Sequence, residues 1–358
     1  MLVSLYISQK DVRDWVDTTI LRKTLTENDI QTISLNTDKT NQVHVFSNYI
    51  AMLNEKKVTL YNSYGEKITD IDVNINNAIY DSSNKYMVVA ENGGKELCLI
   101  LDKTYLWSTT TDSDILQVHV NQNGYVAVVT TDITHKSIII LYNSEGKKLF
   151  TSYFSSTRII DLSISDDNKY IAVGELDSAG TVIQSNIKII SIENAQKEPE
   201  NTIIYTFNAE QGSLISNVEY QQNGQIICVY DDHVAAIKNE ENQEILKAEN
   251  KVYVSNELNN SVVYLEEQSE GVFKVSSNIH IINTSNNKDT TYELDDVVKD
   301  IYTNEEIIAV NAGTDIYFIN TKGWLLKKYS ANQEITNVKI SENLAAIIYK
   351  DKIEIIDI

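Results

Sequence analysis

The sequence predicts an all-β fold: a single β-propeller of eight four-stranded blades, with seven blades as the alternative count. Three observations predict it. A phrase of inner strand, polar turn, apolar strand, second strand, turn and last strand recurs about every 40 residues, the period of radial or stacked repeats. Three turns align within that phrase, YNSYGEK at 61–67, YNSEGKK at 142–148 and INTKGWL at 319–325, each between β-rich runs. A second family of turns, DSSNKY at 81–86, NQNGY at 121–125, SDDNKY at 165–170 and QQNGQ at 221–225, leads each time into an apolar strand: YMVVA, YVAVV, YIAVG or IICVY. Asn, Asp and Gly tolerate left-handed backbone in such turns. Near-continuous apolar strands fit the middle of a blade covered on both faces.

Along the chain, residues 1–28 stand apart from the propeller expected over 29–358. MLVSLYIS is apolar but far short of the roughly 20 residues needed to cross a bilayer. In DVRDWVDTTILRKTL, Val12, Trp15, Val16 and Ile20 have helical spacing and predict a short amphipathic helix. That helix either flanks the propeller or forms a stalk below a membrane anchor lying upstream of, or overlapping, residues 1–8, with Trp15 at the interface. The blades are then expected at 43–73, 75–111, 115–154, 159–208, 214–248, 251–294 and 297–330. A last blade has three strands, near 335–340, 344–349 and 352–357. The segment IQTISLN at 30–36 is expected to supply its outer strand, tying the termini together and removing free sheet edges.

A formal net charge of -21 opposes binding to phosphate backbones, so nucleic acid is an unsuitable partner and a basic protein a suitable one. Cys98 and Cys228 fall in apolar strands of non-adjacent repeats and read as buried thiols rather than a disulfide. The five histidines, His44, His119, His135, His233 and His280, show no zinc spacing, and no nucleophile elbow or phosphate loop occurs. No cofactor or metal is expected. Asp166 and Asp167 lack the ligand alternation of a calcium loop and read as turn residues. Alignment of the polar turns puts Asn77, Gln117, Asp161, Asn217 and Asn337 at one equivalent inner-strand position. These residues, with His119, are the candidate channel positions. They form either a polar ring at one mouth or a set of caps on the blade-to-blade links. A hydrolytic carboxylate pair would first be sought at Asp161 and Asp300.

Loop lengths suggest a binding face. The second-to-third strand connection is enlarged in two repeats, ELDSAGTVIQSN at 175–186 and EEQSEGVFKVSSN at 266–278. Asp177, Val182, Ile183, Gln184, Val272 and Phe273 are the candidate partner-binding residues there. The alternative is that each insertion only lengthens its hairpin. A further insertion, IENAQKEPENT at 192–202, is charged, contains Pro199 and reads as a solvated excursion.

The phrases SISDDNKYIAVGELDSAGTVIQSNIKIISIENAQ at 163–196, INTSNNK at 282–288 and YFINTKGWLLKKYS at 317–330 resemble a family of propeller proteins from spore-forming Gram-positive bacteria, known as a domain of unknown function. The resemblance runs from DVRDWVD to KIEIIDI. It implies one membrane helix before the propeller and a propeller on the extracytoplasmic side, and it supplies no catalytic residues. WD40 repeats would show Gly-His and Trp-Asp pairs that are missing here. Quinoprotein-like propellers share the Asn143 to Lys147 turn but would carry a Trp after it in most blades. The expected function is a non-enzymatic scaffold for an envelope protein. A glycan or small-ligand module using the channel is the alternative, and a hydrolase or lyase a third.

Overall fold

Why alternating and continuous apolar strands settle into blades is seen in a computed structural model. It describes residues 16, 30–35, 42–54, 56–198, 202–210, 212–247, 253–270, 274–341 and 344–358. Apart from Val16, the predicted N-terminal helix lies outside the described residues, as do Trp15, Pro199, Val272 and Phe273.

Strand β1 is Gln31–Ser34. Blade 1 follows as β2 (Gln42–Phe46), β3 (Tyr49–Asn54), β4 (Lys57–Tyr61) and β5 (Lys67–Asp72). Blade 2 is β6 (Ala78–Ser83), β7 (Tyr86–Glu91), β8 (Glu96–Leu101) and β9 (Thr104–Thr110). Blade 3 is β10 (Ile115–Val120), β11 (Val126–Thr130), β12 (Ser137–Tyr142) and β13 (Lys148–Phe154). Blade 4 is β14 (Thr157–Ile164), β15 (Tyr170–Asp177), β16 (Gln184–Ser191) and β17 (Ile203–Asn208). Blade 5 is β18 (Ile215–Tyr220), β19 (Ile226–Tyr230), β20 (His233–Lys238) and β21 (Glu241–Lys247). Blade 6 is β22 (Tyr253–Leu258), β23 (Ser261–Glu270), β24 (Lys274–Asn283) and β25 (Lys288–Leu294). Blade 7 is β26 (Asp300–Asn304), β27 (Ile307–Asn311), β28 (Asp315–Asn320) and β29 (Leu325–Ser330). Blade 8 is β30 (Asn337–Ile340), β31 (Leu344–Ile348) and β32 (Lys352–Asp357), completed by β1 in the order β1-β32-β31-β30. The molecule is therefore an eight-bladed, four-stranded β-propeller.

The composite blade follows the expected pairing. Gln31 faces Ile355 and Ser34 faces Lys352 in antiparallel register, and Leu35 N donates to Asp351 O at 2.8 Å. Ile33 thereby reaches the core with Ile353 and Ile355.

Two compact units are found. A terminal unit comprises Met1–Asn54, Thr59–Thr69 and Asn250–Ile358, and a central unit Glu55–Val58 and Asp70–Glu249. In the terminal unit, apolar slabs fill the space between consecutive blades. Val43, Ile50 and Met52 meet Leu344 and Ile355 between blades 8 and 1. Phe318, fully buried, meets Val338 and Ile347 between blades 7 and 8, and Ile279 meets Val310 and Ile319 between blades 6 and 7. The central unit repeats this with Leu99 against Val126, Leu141 against Ile171, and Ile187 against Cys228. Burying both faces of β7, β11, β19 and β27 explains their unbroken apolar runs. Cys98 and Cys228 are free and buried within these slabs, and burial pushes the Cys98 thiol up to about 12.

The turns repeat atom for atom. Asn62 Oδ1 accepts from Tyr64 N and Glu66 N, Asn143 Oδ1 from Glu145 N and Lys147 N, and Asn320 Oδ1 from Lys322 N and Trp324 N, all within 2.9–3.1 Å. The glycine after each has positive φ, including Gly146 at 80°, against which the Trp107 indole lies. Asp167 accepts from Ser165 Oγ at 2.8 Å and Lys169 N at 3.1 Å, so it shapes its turn.

One expectation is corrected. The 192–202 insertion begins as a helix, α1 (Ile192–Lys197), rather than as a solvated excursion. Ser191 caps it by accepting from Asn194 N at 3.3 Å, and Glu193 pairs with Lys197 one turn on. Ile192 and Ala195 recur at a spacing of three and enter the slab between blades 3 and 4. The charged residues cover the outer side, which is why composition alone suggested solvent.

Candidate functional site

The inner strands of the central unit place four of the predicted channel residues together. Gln117, Asp161 and Asn217 each follow a register shift, after Ile115, Ile159 and Ile215 respectively, so one β-bulge recurs in blades 3, 4 and 5. The Asp161 carboxylate is the hub. Its Oδ2 accepts from Asn217 Nδ2 and from Val218 N, both at 2.8 Å, and its Oδ1 lies 3.8 Å from His119 Nε2. Gln117 Nε2 donates to Ile160 O at 2.9 Å. Ser163 Oγ accepts from Tyr220 N at 3.0 Å, and Asp81 Oδ2 accepts from Val120 N at 2.7 Å. Side chains on one inner strand thus hold backbone amides on the next. Asp81 and Ser163 escape a reading of the sequence because they sit in segments that resemble a turn and a strand edge. Their shared register, Asp81 opposite Val88 and Ser163 opposite Ala172, is the signal that marks them.

Burial pushes the His119 imidazole down to about 4, so the ring is neutral at physiological pH. Buried Gln117 Oε1, His119 Nε2 and Asn217 Oδ1 have no hydrogen-bond partner among the described residues. The amide orientations follow from Nε2 and Nδ2 donating to oxygens. Asn77 takes a different place: its Nδ2 donates to Asn92 O at 3.3 Å and its backbone carbonyl accepts from Asn92 N at 2.9 Å, capping the entry to blade 2. Asn337 belongs to the terminal unit, on β30 opposite Ile348, with its Oδ1 buried and without a hydrogen bond among the described residues.

A buried ion pair in blade 4 lies beyond what the sequence predicts. Glu175 is fully buried, receives Thr157 Oγ1 at 2.6 Å and pairs with Lys188 Nζ at 2.7 Å. The Lys188 ammonium lies 5.3 Å over the Phe154 ring. Cross-strand register, with Glu175 opposite Asn186, brings these residues together, which spacing along the chain does not reveal.

The two enlarged loops prove to be lengthened hairpins. β15 and β16 stay paired from Tyr170–Ser191 to Asp177–Gln184, leaving 178–183 as the tip. Asp177 Oδ1 accepts from Ala179 N at 2.9 Å, and Gln184 Nε2 donates to Ala209 O at 2.7 Å. Val182 and Ile183 stay 43% and 44% exposed. Lys136 Nζ reaches Ser178 Oγ at 3.2 Å, joining this tip to the blade 3 loop that carries the fully exposed Ile133. β23 and β24 stay paired to Glu270–Lys274, so this hairpin belongs to the terminal unit and the blade 4 hairpin to the central one.

In the terminal unit a cavity of about 580 Å³ is lined by Lys299, Asp300, Tyr302, Asn311, Gln333, Glu334, Ile335, Thr336, Lys350 and Asp351. Asp300 lies opposite Asn311 at the start of β26, the register position that Asp161 occupies on β14. Asp300 Oδ1 accepts from Ile301 N at 2.9 Å. Burial, followed by the Asp300 charge, pushes the Tyr302 phenol up to about 12. Lys299 pairs with Glu334. Among the described residues, no group of three or more His, Cys, Asp or Glu could hold a metal ion, and no helix is long and apolar enough to cross a membrane.

Fold and inner-strand pattern define the class, an eight-bladed propeller with polar cross-blade rows. Within that class the chain belongs to a family of unknown function, DUF5711, whose model matches residues 22–358. Comparison with curated protein sequences finds no match. Among solved structures, the chain is similar to BamB from Moraxella catarrhalis, at 11% identity and TM-score 0.53, with 94% of this chain and 99% of that one covered. It is similar to the C-terminal WD40 domain of Sif2 at 14% identity and TM-score 0.57, covering 92% and 99%. It is also similar to the dihydro-heme d1 dehydrogenase NirN at 9% identity and TM-score 0.54, covering 94% and 77%. At these identities the likeness establishes the propeller fold alone.

Proposed function

We propose that this protein is a non-enzymatic propeller scaffold that binds a basic protein partner at the extracytoplasmic face of a bacterial cytoplasmic membrane. The observation that carries the reading is the pair of joined loops in blades 3 and 4, where Ile133, Val182 and Ile183 are exposed on a pinned backbone. Large apolar side chains held outward on ordered loops cost solvation unless a partner covers them. The formal charge of -21 favours a basic partner through steering. A binding rather than catalytic role is supported by Asp161, the first carboxylate to consider for hydrolysis, whose Oδ2 is occupied by Asn217 and Val218. The membrane location rests on the membrane helix that the family resemblance implies before the propeller, and belongs to the same proposal.

The experiment is in-cell crosslinking of the full-length protein beside an Ile133→Ser, Val182→Ser, Ile183→Ser variant. Loss of one specific crosslinked envelope protein in the variant, with unchanged thermal stability, supports the reading. Equal capture by both proteins rejects the loop face. Fractionation places the protein: recovery in the membrane fraction with the propeller open to external protease is the expected result.

A further inference from the structure

We propose that the cavity of the terminal unit is a binding site for a neutral polyhydroxylated ligand, a sugar, gripped between the Asp300–Tyr302–Asn311 cluster and the 333–336 link. The inference stands apart from the loop-binding reading, since the residues and the ligand class are different. A volume of about 580 Å³ lies inside the roughly 300–1,000 Å³ range of small-molecule clefts.

The polar floor is held in place before any ligand arrives. Asn311 is only 3% exposed, and its Oδ1 accepts from Gly313 N at 2.8 Å. Tyr302 stays neutral because burial and the Asp300 charge raise its phenol. Asp300 Oδ1 accepts from Ile301 N of its own strand, and a carboxylate has further lone pairs to offer a ligand. Fixed donors and acceptors of this kind lower the ordering cost of binding.

The lining also selects the ligand class. Lys299 is neutralised by Glu334, and two lysines stand against three carboxylates, which disfavours an anion. Ile335 is the one aliphatic residue of the lining, which disfavours a lipid or other apolar ligand. A hydroxyl donates and accepts at once, so neighbouring hydroxyls match a wall of carboxylate, amide, phenol and ammonium groups.

The test is isothermal titration of the full chain with glucose, N-acetylglucosamine, maltose and cellobiose, repeated for Asp300→Ala, Tyr302→Phe, Lys350→Ala and His119→Ala. Lys350 is exposed at the rim, so its variant reports on the site without risk to the fold. Expected are binding of at least one sugar at millimolar concentration or below, a loss of tenfold or more in Asp300→Ala and Tyr302→Phe, a few-fold loss in Lys350→Ala and no change in His119→Ala. Absence of binding by all four sugars overturns the proposal. So does binding that survives the three cavity variants, or that is lost only in His119→Ala.

Discussion

The inner strands of blades 4 and 7 carry an aspartate at the same register position, yet the two carboxylates do different work. Asp161 binds a backbone amide and a side-chain amide of the following blade. Asp300 binds the amide of its own next residue, Ile301, and lines the cavity. Two residues along the strand, blade 4 has Ser163, which holds Tyr220 N of the following blade, whereas blade 7 has Tyr302, which lines the same cavity. The same position on a repeated strand is therefore cross-blade cement in one case and cavity wall in the other. In a repeat fold, equivalent position does not imply equivalent use.

Removing each carboxylate breaks the comparison most directly. Asp161→Ala leaves Val218 N and the Asn217 amide without their acceptor, and unfolding in urea should show a loss of about 3 kcal/mol. Asp300→Ala removes a group at a cavity wall and should cost less than about 1 kcal/mol. Equal losses would show that Asp300 is structural and that the contrast is wrong.

A pH series sharpens the contrast at the neighbouring histidine. Burial lowers the folded-state value of His119 from 6.5 to about 4, so the unfolded chain binds the proton first as pH falls. The stabilising contribution is complete above about 6.5 and is lost progressively down to about 4, below which both states are protonated. The loss should amount to up to about 3 kcal/mol for a shift of this size. His119→Gln should lower the slope across that window by the share of one proton. His44, on β2 of the terminal unit, is lowered from 6.5 to about 3 by burial and by Lys339, so a slope from that histidine should remain in the variant across the same window and on to lower pH. A slope unchanged by His119→Gln would remove this histidine from the account.

The smallest effect compares two of the repeated turns. Gly146 has φ 80°, and a methyl added to it would sit 2.8 Å from Trp107 ring atoms, whereas Gly65, at φ 74°, would meet only ordinary contacts from 3.6 Å. Gly146→Ala combines backbone strain with a clash and should cost about 2 kcal/mol, and Gly65→Ala about 1 kcal/mol, read as shifts in melting temperature. The reverse order would mean that the indole moves freely.

Much of the architecture was legible because it is local and repeated. The Asn-x-x-Gly turns and the apolar second strands follow from residue chemistry at fixed spacing, and the completion of blade 8 by 30–36 from the strand that the last repeat lacks. The site was legible only in part. Gln117, Asp161 and Asn217 aligned correctly, and the structure brings them together with His119. Nothing in their spacing told whether their polar atoms faced solvent or one another, and α1 was hidden because charge on one side masked Ile192 and Ala195 on the other.

By itself, then, the sequence determined the propeller architecture, the repeating order of strands and the chemistry of the turns, since each depends on interactions among residues a few positions apart, whereas the eighth blade is closed by a pairing of the two ends of the chain. Only the tertiary structure decided that Asp161 meets Asn217 across 56 positions, that Glu175 finds Lys188, and that Asp300 and Tyr302 line a cavity with the 333–336 link. Those choices depend on which side chains are long enough to reach a neighbouring blade at a given register. Reach across a packed interface is a property of three-dimensional distance, which a repeating pattern along one dimension does not carry.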